Sequence, residues 1–207
     1  MTLTKKDIAQ AGLKLLNQVG LEGLTVRAIA DELGVKAPAL YWHLKNKQAL
    51  LDEVATEMFL TIPPLPPATA GERWTDRLLR QARDLRQMML SYRDGAKVFS
   101  GTFFTDAPLP GESAIEEIVA AGYTPAQAVR VLSTVFSYTV GFTIEQQAVE
   151  PMPGQRDRRY DDALERAGRS TAFSEAVKAA IGGNFDEQFE DGLSIVLLGV
   201  TAWLESA

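Results

Sequence analysis

Residues 25–51, TVRAIADELGVKAPALYWHLKNKQALL, decide the fold class of this chain. Thr25 is a preferred helix N-cap, and apolar residues follow it at helical spacing as far as Leu33. Gly34 then breaks the pattern, and a second, very short helix is predicted over residues 38–44, with a proline in its first turn. Two short helices joined at a glycine turn are typical of a helix-turn-helix.

The outer face of the second short helix combines aromatic residues with nearby lysines. Leu33, Val35 and Leu40 have the spacing to bury the inner faces of both helices. A helix of this kind enters the major groove of DNA by its N-terminal end, and lysines and aromatic groups around it can reach phosphates. The outer residues are Ala37, Pro38, Tyr41, Trp42 and His43, flanked by Lys36, Lys45 and Lys47.

Helical periodicity continues along the remaining chain, and no stretch is typical of a strand. The fold class is therefore all-α, with an N-terminal three-helix helix-turn-helix head and a larger helical body. Start signals include Asn46, a capping box at Thr69–Glu72 and a second at Thr124–Gln127. Besides the two short helices, we predict helices over residues 3–19, 47–60, 72–92, 97–101, 113–121, 124–148, 162–181 and 184–206, with a polar loop over 150–160.

The segment Pro63–Pro67 is the clearest break between two parts of the chain. Four prolines in five residues cannot form a helix and instead make a stiff, extended connector. We expect a DNA-binding domain over residues 1–46, a connecting helix over 47–62, and a C-terminal domain over 68–207.

Charge is distributed unevenly between the head and the body. The net charge of the 207 residues is −6, yet residues 1–50 hold seven Lys or Arg against four Asp or Glu, whereas the rest holds 14 against 23. A basic head on an acidic body suits a protein that contacts DNA with one end only, and chance asymmetry is the alternative. The absence of cysteine excludes disulfides, thiolate zinc sites and thiol nucleophiles. No apolar run is long enough for a membrane span or a signal peptide, so we expect a cytoplasmic protein.

The segment 25–51 resembles the DNA-binding head of the tetracycline-repressor (TetR) family, and LYWH at 40–43 followed by KNK at 45–47 resembles the branch closest to the tetracycline repressor itself. In the body, YRDGAKV at 92–98 and EQQ at 145–147 are similar to the regulatory core of that branch. The resemblance implies contacts with DNA bases from Arg27 and Pro38, and contacts with phosphates or the groove from Tyr41, Trp42, His43 and Lys47. The full set expected at the DNA is Thr25, Arg27, Lys36, Ala37, Pro38, Ala39, Tyr41, Trp42, His43 and Lys47.

Two positions on the reading helix depart from the family pattern. Ala37 stands where this branch has a base-reading glutamine, and Ala39 stands where it has threonine. Because alanine cannot donate a hydrogen bond to a base, we expect a different operator at those base pairs. Other roles remain open for Arg27 as a surface salt-bridge residue, Trp42 as a core residue and His43 as a helix-packing residue.

The resemblance also implies a small-molecule site in the body, but without the metal of the tetracycline repressor. That repressor holds its drug with magnesium through a histidine, and Phe99 stands at the matching position. Glu145 matches an acid that acts on the metal through water. We expect no metal, no cofactor and a flat, hydrophobic or aromatic effector, although each phenylalanine can equally be a core residue. The candidate residues are Gln81, Leu85, Phe99, Thr102, Phe103, Phe104, Phe136, Phe142 and Glu145.

Dimerisation is expected from the helices over 124–148 and 184–206, which have broad apolar faces with small residues that allow close approach. The resemblance implies that they pair with their counterparts in a four-helix bundle, so that a homodimer reads a palindromic operator. Effector binding would shift the 95–101 segment, swing the 47–60 helix and change the separation of the two heads.

Three alternatives to a repressor are an enzyme, a protein-interaction module and a regulator of another kind. A helical enzyme would have to use the carboxylates of Glu145, Asp161 and Asp162, which nothing in the sequence places together, and no nucleophile or phosphate loop accompanies them. A protein-interaction module with a degenerate head conflicts with the intact Arg27 and Lys47. A ligand-independent regulator or an activator of the same fold is the remaining alternative, and no catalytic residue is expected.

Overall fold

The computed structural model describes residues 3–102, 104, 111–166 and 171–206. This part of the chain is all α-helical; its only β feature is an isolated bridge between Met152 and Gln155. None of the described helices is long and apolar enough to cross a membrane. The helices are α1 Lys5–Gly23, α2 Val26–Glu32, α3 Ala37–Tyr41, α4 Lys47–Phe59, α5 Trp74–Leu90, α6 Gly95–Phe99, α7 Glu112–Ala120, α8 Pro125–Val149, α9 Arg158–Arg166, α10 Thr171–Gly182 and α11 Phe185–Ser206.

The head consists of α1 to α3 packed around a common core with α4. Thr4 and Asp7 form a reciprocal capping box at the start of α1. Helical geometry is interrupted at Gly20, where φ is 69° and ψ is 180°, and one further turn follows. The predicted end at residue 19 therefore coincides with a real break. The second short helix is Ala37–Tyr41, shorter than the predicted 38–44, and the backbone continues through turns to Leu44.

Helix α4 joins the head to the body. Asn46 caps it by accepting a 2.9 Å hydrogen bond from the N–H of Ala49, as the sequence predicts. Its buried residues Leu50, Val54 and Met58 lie in a core cluster that also includes residues of α1, α5 and α6. A movement of α4 therefore disturbs packing on both sides of the connection.

The body is organised around α8, which packs against α5, α6, α7 and α11. Thr124 and Gln127 form the predicted capping box at its start, and Pro125 occupies the first turn. A second core cluster joins α5, α7, α8 and α11; its largest buried residues include Ile118, Phe189 and Leu193.

Several predicted elements of the body are wrong in their boundaries. Thr69 and Glu72 do bond through the backbone N–H of Thr69, but they close a turn, and α5 begins only at Trp74. The loop predicted over 150–160 ends earlier, because α9 begins at Arg158. The single helix predicted over 162–181 is replaced by α9 and α10, separated by residues that lie outside the described chain.

Candidate nucleic-acid interface and effector site

A tight glycine turn sets the angle between α2 and α3. The N–H of Gly34 donates to Asp31 O at 3.2 Å, and the N–H of Val35 donates to Ala30 O at 2.9 Å. Gly34 has φ +66°, a conformation that other residues adopt only with strain. Leu40 is fully buried, while Leu33 and Val35 are partly buried, so the inner faces of both helices meet as expected.

The aromatic residues at the end of α3 face solvent. Trp42 is 91% exposed and Tyr41 is 57% exposed. Trp42 is therefore not a core residue of the described chain, whereas His43 is half-buried, which leaves a packing role open for it. Thr25 uses its hydroxyl to accept from the N–H of Ala28 and cap α2. Of the remaining expected DNA contacts, Pro38 is exposed, and Ala37 and Ala39 are half-buried.

Some of the lysine and arginine side chains around α2 and α3 form ion pairs or hydrogen bonds, and others do not. Arg27, Lys36 and Lys45 are exposed, and none of them makes a hydrogen bond or ion pair within the part of the chain that the structure describes. Lys14 is paired with Glu32. Lys47 donates a long, 3.4 Å hydrogen bond to the carbonyl oxygen of Leu21. The available positive charge thus lies beside α2 and α3, where the sequence predicts DNA.

In the body, four aromatic rings from separate elements form one cluster. The ring centroid of Phe99 on α6 lies 5.3 Å from Phe104, 6.1 Å from Phe136 on α8 and 6.4 Å from Phe59 on α4. Phe59 also lies 5.6 Å from Phe104. Leu85 belongs to the same core. We call Phe59, Phe99, Phe104 and Phe136 the aromatic cluster.

Sequence reasoning missed Phe59. It is the last residue of α4, and the apolar spacing of that helix directed attention to Leu50, Val54 and Met58. An aromatic side chain at the end of the connecting helix, immediately before the proline run, was the available signal. Its place in the aromatic cluster means that α4 contacts the candidate effector region directly.

The other candidate effector residues lie around this cluster or away from it. Phe142 belongs to a second group with Tyr138 and Phe189. The amide of Gln81 donates to Ser113 Oγ at 3.3 Å, and the hydroxyl of Thr102 donates to Val98 O at 2.6 Å. Glu145 is exposed. Phe103 lies outside the described residues.

Two surface pockets have no expected effector residue in their lining. One pocket of about 450 Å³ is a groove between α8 and α11, lined by Val129, Arg130, Val131, Ser133, Thr134, Gly199, Val200 and Trp203. A second, of about 200 Å³, lies between the end of α4 and α5, with Thr61, Ile62, Pro63, Asp84, Gln87, Met88 and Ser91 as its lining. Phe99 is only 1% exposed among the rings of the aromatic cluster, so a ligand that binds there must displace side chains.

The donor set of the body does not fit a metal bound as in the tetracycline repressor. Phe99 has no ligand atom at the position where the resemblance implies histidine, and Glu145 faces solvent. Among the described residues, no group of three or more His, Cys, Asp or Glu side chains is arranged to hold an ion.

Ionic contacts fasten α5 to the start of α11. Arg83 forms a two-pronged pair with Glu190, with N···O distances of 2.7 and 2.6 Å. Hydrogen bonding from Arg83 lowers the pKa of Glu190. Arg86 is buried, donates to Gln146 Oε1 at 3.1 and 2.8 Å, and pairs with Asp186 at 2.8 Å. These contacts fix α11 against the helix that carries Gln81 and Leu85.

An apolar face of α8 and α11 remains open to solvent. Ile195 and Leu198 on α11 are each 70% exposed, and Val129 on α8 is 46% exposed. Gly141 on α8 and Gly199 on α11 are also open, because an added Cβ at either position would meet nothing within 4 Å. Large exposed aliphatic side chains grouped on two long helices are typical of a protein interface.

Comparison with known proteins identifies both parts of the chain. Residues 8–54 match the model of bacterial regulatory proteins of the tetR family, and residues 65–204 match that of the tetracyclin repressor-like C-terminal domain. The class A tetracycline repressor from transposon 1721 of Escherichia coli is 36% identical over 200 residues, which cover 96% of this chain and 90% of the relative. The class G tetracycline repressor of Vibrio anguillarum is 39% identical over 169 residues, covering 81% of this chain and 80% of the relative.

Solved structures agree with this relationship. A TetR variant from Acinetobacter baumannii AYE in complex with minocycline superposes with a TM-score of 0.79 at 34% identity, covering 98% of this chain and 95% of that one. A possible TetR family regulator from Streptomyces coelicolor A3(2) gives 0.80 at 32% identity, covering 96% and 99%. The sequence relatives are named as transcriptional repressors and regulators, which are not enzymes. The solved structures superpose on the all-helical fold of this chain. The chain therefore belongs to the TetR family of bacterial transcription regulators, with a helix-turn-helix head and a ligand-binding C-terminal domain.

Proposed function

We propose that this protein is a homodimeric repressor that binds a palindromic operator in the cytoplasm and leaves it when a small, metal-free aromatic or hydrophobic molecule binds the body. DNA binding is supported by one observation, which is that Trp42 and Tyr41 are exposed beside Arg27 and Lys36. Neither of these two cations has a partner among the described residues. Aromatic and cationic side chains that lie together on one exposed face can contact the phosphate backbone of DNA.

Different residues of the head have different roles in this proposal. Arg27 reads a base, since its guanidinium has no competing partner among the described residues and can pair with guanine. Lys36, Lys45, Tyr41 and Trp42 contact phosphates. Ala37, Pro38 and Ala39 offer only apolar contacts, so the operator differs from those of relatives with polar residues at these positions.

Dimerisation through α8 and α11 follows from the open apolar face of these helices. Burial of Ile195 and Leu198 against a second copy removes side chains that are otherwise largely in water. Two copies related by a twofold axis present two reading helices to two half-sites of a palindrome.

The effector class is inferred from the chemistry of the aromatic cluster. Four phenylalanine rings, with Leu85 beside them, favour a flat apolar ligand, and Gln81 one helical turn before Leu85 can supply a hydrogen bond. The donor set argues against magnesium, because Phe99 cannot ligate a cation and Glu145 lies on the exposed side of α8.

Release from the operator is proposed to run through α6 and α4. A ligand that displaces rings of the aromatic cluster moves Phe99 on α6 and Phe59 on α4 together, because these rings are in contact. Movement of α4 alters the position of the head, and the spacing of the two heads no longer matches the operator. The ligand can shift the equilibrium between the bound and released conformations only by the difference in its affinity for the two.

DNA binding is tested by a salt titration of the purified protein on two fluorescent duplexes, its upstream intergenic DNA and a scrambled control. We expect tight binding to the first alone, which weakens steeply with salt as counterions are released. If the protein binds both duplexes equally and weakly, the operator is then sought by selection from random DNA sequences. A selection that enriches no sequence would overturn the proposal.

The effector class is tested separately by calorimetry. Magnesium with tetracycline should give no binding at micromolar affinity, whereas a screen of flat aromatic compounds should find one that dissociates the protein–operator complex without added metal. Micromolar or tighter binding of magnesium–tetracycline would overturn the metal-free assignment.

A further inference from the structure

The buried amide of Gln147 on α8 makes three hydrogen bonds to the turn between α5 and α6. Its Nε2 donates to the carbonyl oxygens of Met89 and Tyr92, at 3.2 and 2.8 Å. Its Oε1 accepts from the N–H of Ala96 at 2.9 Å. The carbonyls lie at the C-terminal end of α5 and the N–H lies in the first turn of α6, where helices leave backbone groups without internal partners. One side chain, only 4% exposed, thus bonds backbone groups on both sides of the turn.

The opposite side of the same turn contacts the DNA-binding head. Asp94 Oδ2 accepts from the backbone N–H of Leu21 at 3.0 Å, and the N–H of Arg93 donates to Asn17 Oδ1 at 2.9 Å. These contacts lie at the break in α1, and a Cβ on Gly20 would be 3.0 Å from Asp94 Oδ2. The turn therefore packs directly on the backbone of α1.

The conformation of the turn needs support from its surroundings. Asp94 has φ 55°, the only positive φ of a non-glycine residue in the part of the chain that the structure describes. Gly95 is so close to α5 that an added Cβ would be 2.1 Å from Met89 O. Strained backbone persists where neighbouring groups hold it, and Gln147 bonds Tyr92, two residues before Asp94, and Ala96, two residues after it.

We propose that Gln147 is a positioning residue for operator binding. By holding the turn Tyr92–Ala96 it sets the orientation of the head through Asn17 and Leu21. This connects α8 to the head independently of α4, since none of these hydrogen bonds involves an α4 residue. The carbonyl of Leu21 accepts from Lys47, so the residue held by Asp94 also lies next to an expected DNA contact. The inference rests on the proposed function, because its effect on DNA is measured as affinity for the operator.

The neighbouring Gln146 provides a matched control. It is also buried in α8, at 8% exposure, but its side-chain oxygen bonds Arg86 and not the turn. Gln147→Met and Gln146→Met both replace a buried amide by a thioether of similar length. Both full-length variants are compared with the unmodified protein under conditions where denaturant melts show each to be more than about 95% folded.

Two measurements decide the proposal. Hydrogen exchange in peptides covering residues 18–24 should be at least about tenfold faster in Gln147→Met than in Gln146→Met. Affinity for a duplex enriched by random-sequence selection with the unmodified protein should fall at least about tenfold in Gln147→Met and less than threefold in Gln146→Met, while binding to scrambled DNA stays the same. A merely structural role for Gln147 would weaken both variants alike.

A double-variant cycle adds a readout specific to positioning. Asn17→Ala removes the head side of the contact, and combined with Gln147→Met it should weaken operator binding by less than the product of the two single effects. The proposal is overturned if Gln147→Met leaves hydrogen exchange at residues 18–24 or operator affinity unchanged. It is also overturned if the two glutamine variants have equal effects, or if the effects of Asn17→Ala and Gln147→Met simply multiply. If the unmodified protein selects no DNA sequence, the proposed function fails, and exchange at 18–24 alone then decides whether Gln147 holds the head.

Discussion

The guanidinium carbon of Arg86 lies 4.7 Å from the centroid of the Phe189 ring, so that a buried charge on α5 rests on the first turns of α11. The same guanidinium lies 5.7 Å from the ring of Phe142 and donates twice to Gln146 Oε1. Its acidic partner Asp186 is largely exposed. The buried surroundings of the Arg86 guanidinium are therefore mostly the two ring faces and the amide of Gln146. Stacking of this kind is worth about 2 kcal/mol when the cation is desolvated.

Replacement of Arg86 should therefore be costly. Arg86→Ala leaves Gln146 Oε1 without its donor and opens a cavity beside two rings, so we expect the free energy of unfolding to fall by about 2–4 kcal/mol. Arg86→Met, which keeps the volume, should lose about half as much. Urea unfolding measures both, with Arg80→Ala as a control, because Arg80 is partly exposed and pairs with Glu72 near the surface. Equal losses at positions 80 and 86 would contradict this account.

Glu190 should make stability depend on pH. Because the hydrogen bond from Arg83 lowers the pKa of Glu190 in the folded protein, the pair stabilises the fold above the ordinary glutamate pKa of 4.5. The contribution is lost as pH falls through the lower, folded-state value. Both side chains are more than 40% exposed, so it amounts to about 1 kcal/mol or less.

The measurement is the difference in unfolding free energy between the unmodified protein and Glu190→Gln. We expect this difference at pH 7, and we expect it to decrease as the pH falls below 4.5 and the carboxyl group of Glu190 is protonated. Arg83→Met should abolish the pH dependence of the same difference. A difference that does not decrease with falling pH, or that survives in the Arg83→Met background, would show that the ion pair is not its source.

The head was predictable because local signals and burial agree there. Thr25 and Asn46 cap the helices that follow them, and Gly34 adopts the positive φ that the turn requires. The capping signal at Thr69 was misleading, although its hydrogen bonds do form. A capping pair stabilises a turn equally well when the helix begins two residues later, so spacing alone does not locate the first helical residue.

The effector region was predicted less well because composition does not specify which rings meet. Phe136 and Phe142 both lie on α8, but six residues turn a helix by about 240°, so they face different sides. Phe136 joins the aromatic cluster and Phe142 joins Arg86 and Phe189. The hydrogen bonds of Gln147 were also out of reach, because they depend on the three-dimensional position of a turn more than fifty residues earlier.

Two cations of the head should affect DNA binding in different ways. Arg27→Ala should cost about 1–3 kcal/mol on the selected operator and relax base preference at one position in each half-site. Lys36→Ala should weaken binding to all sequences alike and reduce the slope of log K against log salt by about one per half-site. Fluorescence anisotropy on the operator and on single-base variants, at several salt concentrations, separates the two effects.

Lys14 supplies the control for these variants, because its amine is already paired with Glu32. Lys14→Ala should leave both the operator preference and the salt slope nearly unchanged. If Arg27→Ala weakens binding without changing base preference, Arg27 contacts phosphate, and the assignment of base reading to α2 is wrong.

Charge introduced on the open face of α8 and α11 should separate the two protomers. Leu198 is 70% exposed in the single chain, and its burial in a dimer is worth about 2 kcal/mol per protomer. Leu198→Glu removes this burial twice and places two carboxylates in an apolar contact, so we expect the dimer dissociation constant to rise at least about 1000-fold. Phe173→Glu is the matched control, because Phe173 is 66% exposed on α10 and belongs to neither α8 nor α11. Sedimentation at tens of micromolar should show Leu198→Glu as a folded monomer that binds a half-site weakly, and Phe173→Glu as a dimer. If Leu198→Glu remains a dimer, or if Phe173→Glu alone dissociates, the interface lies elsewhere on the body.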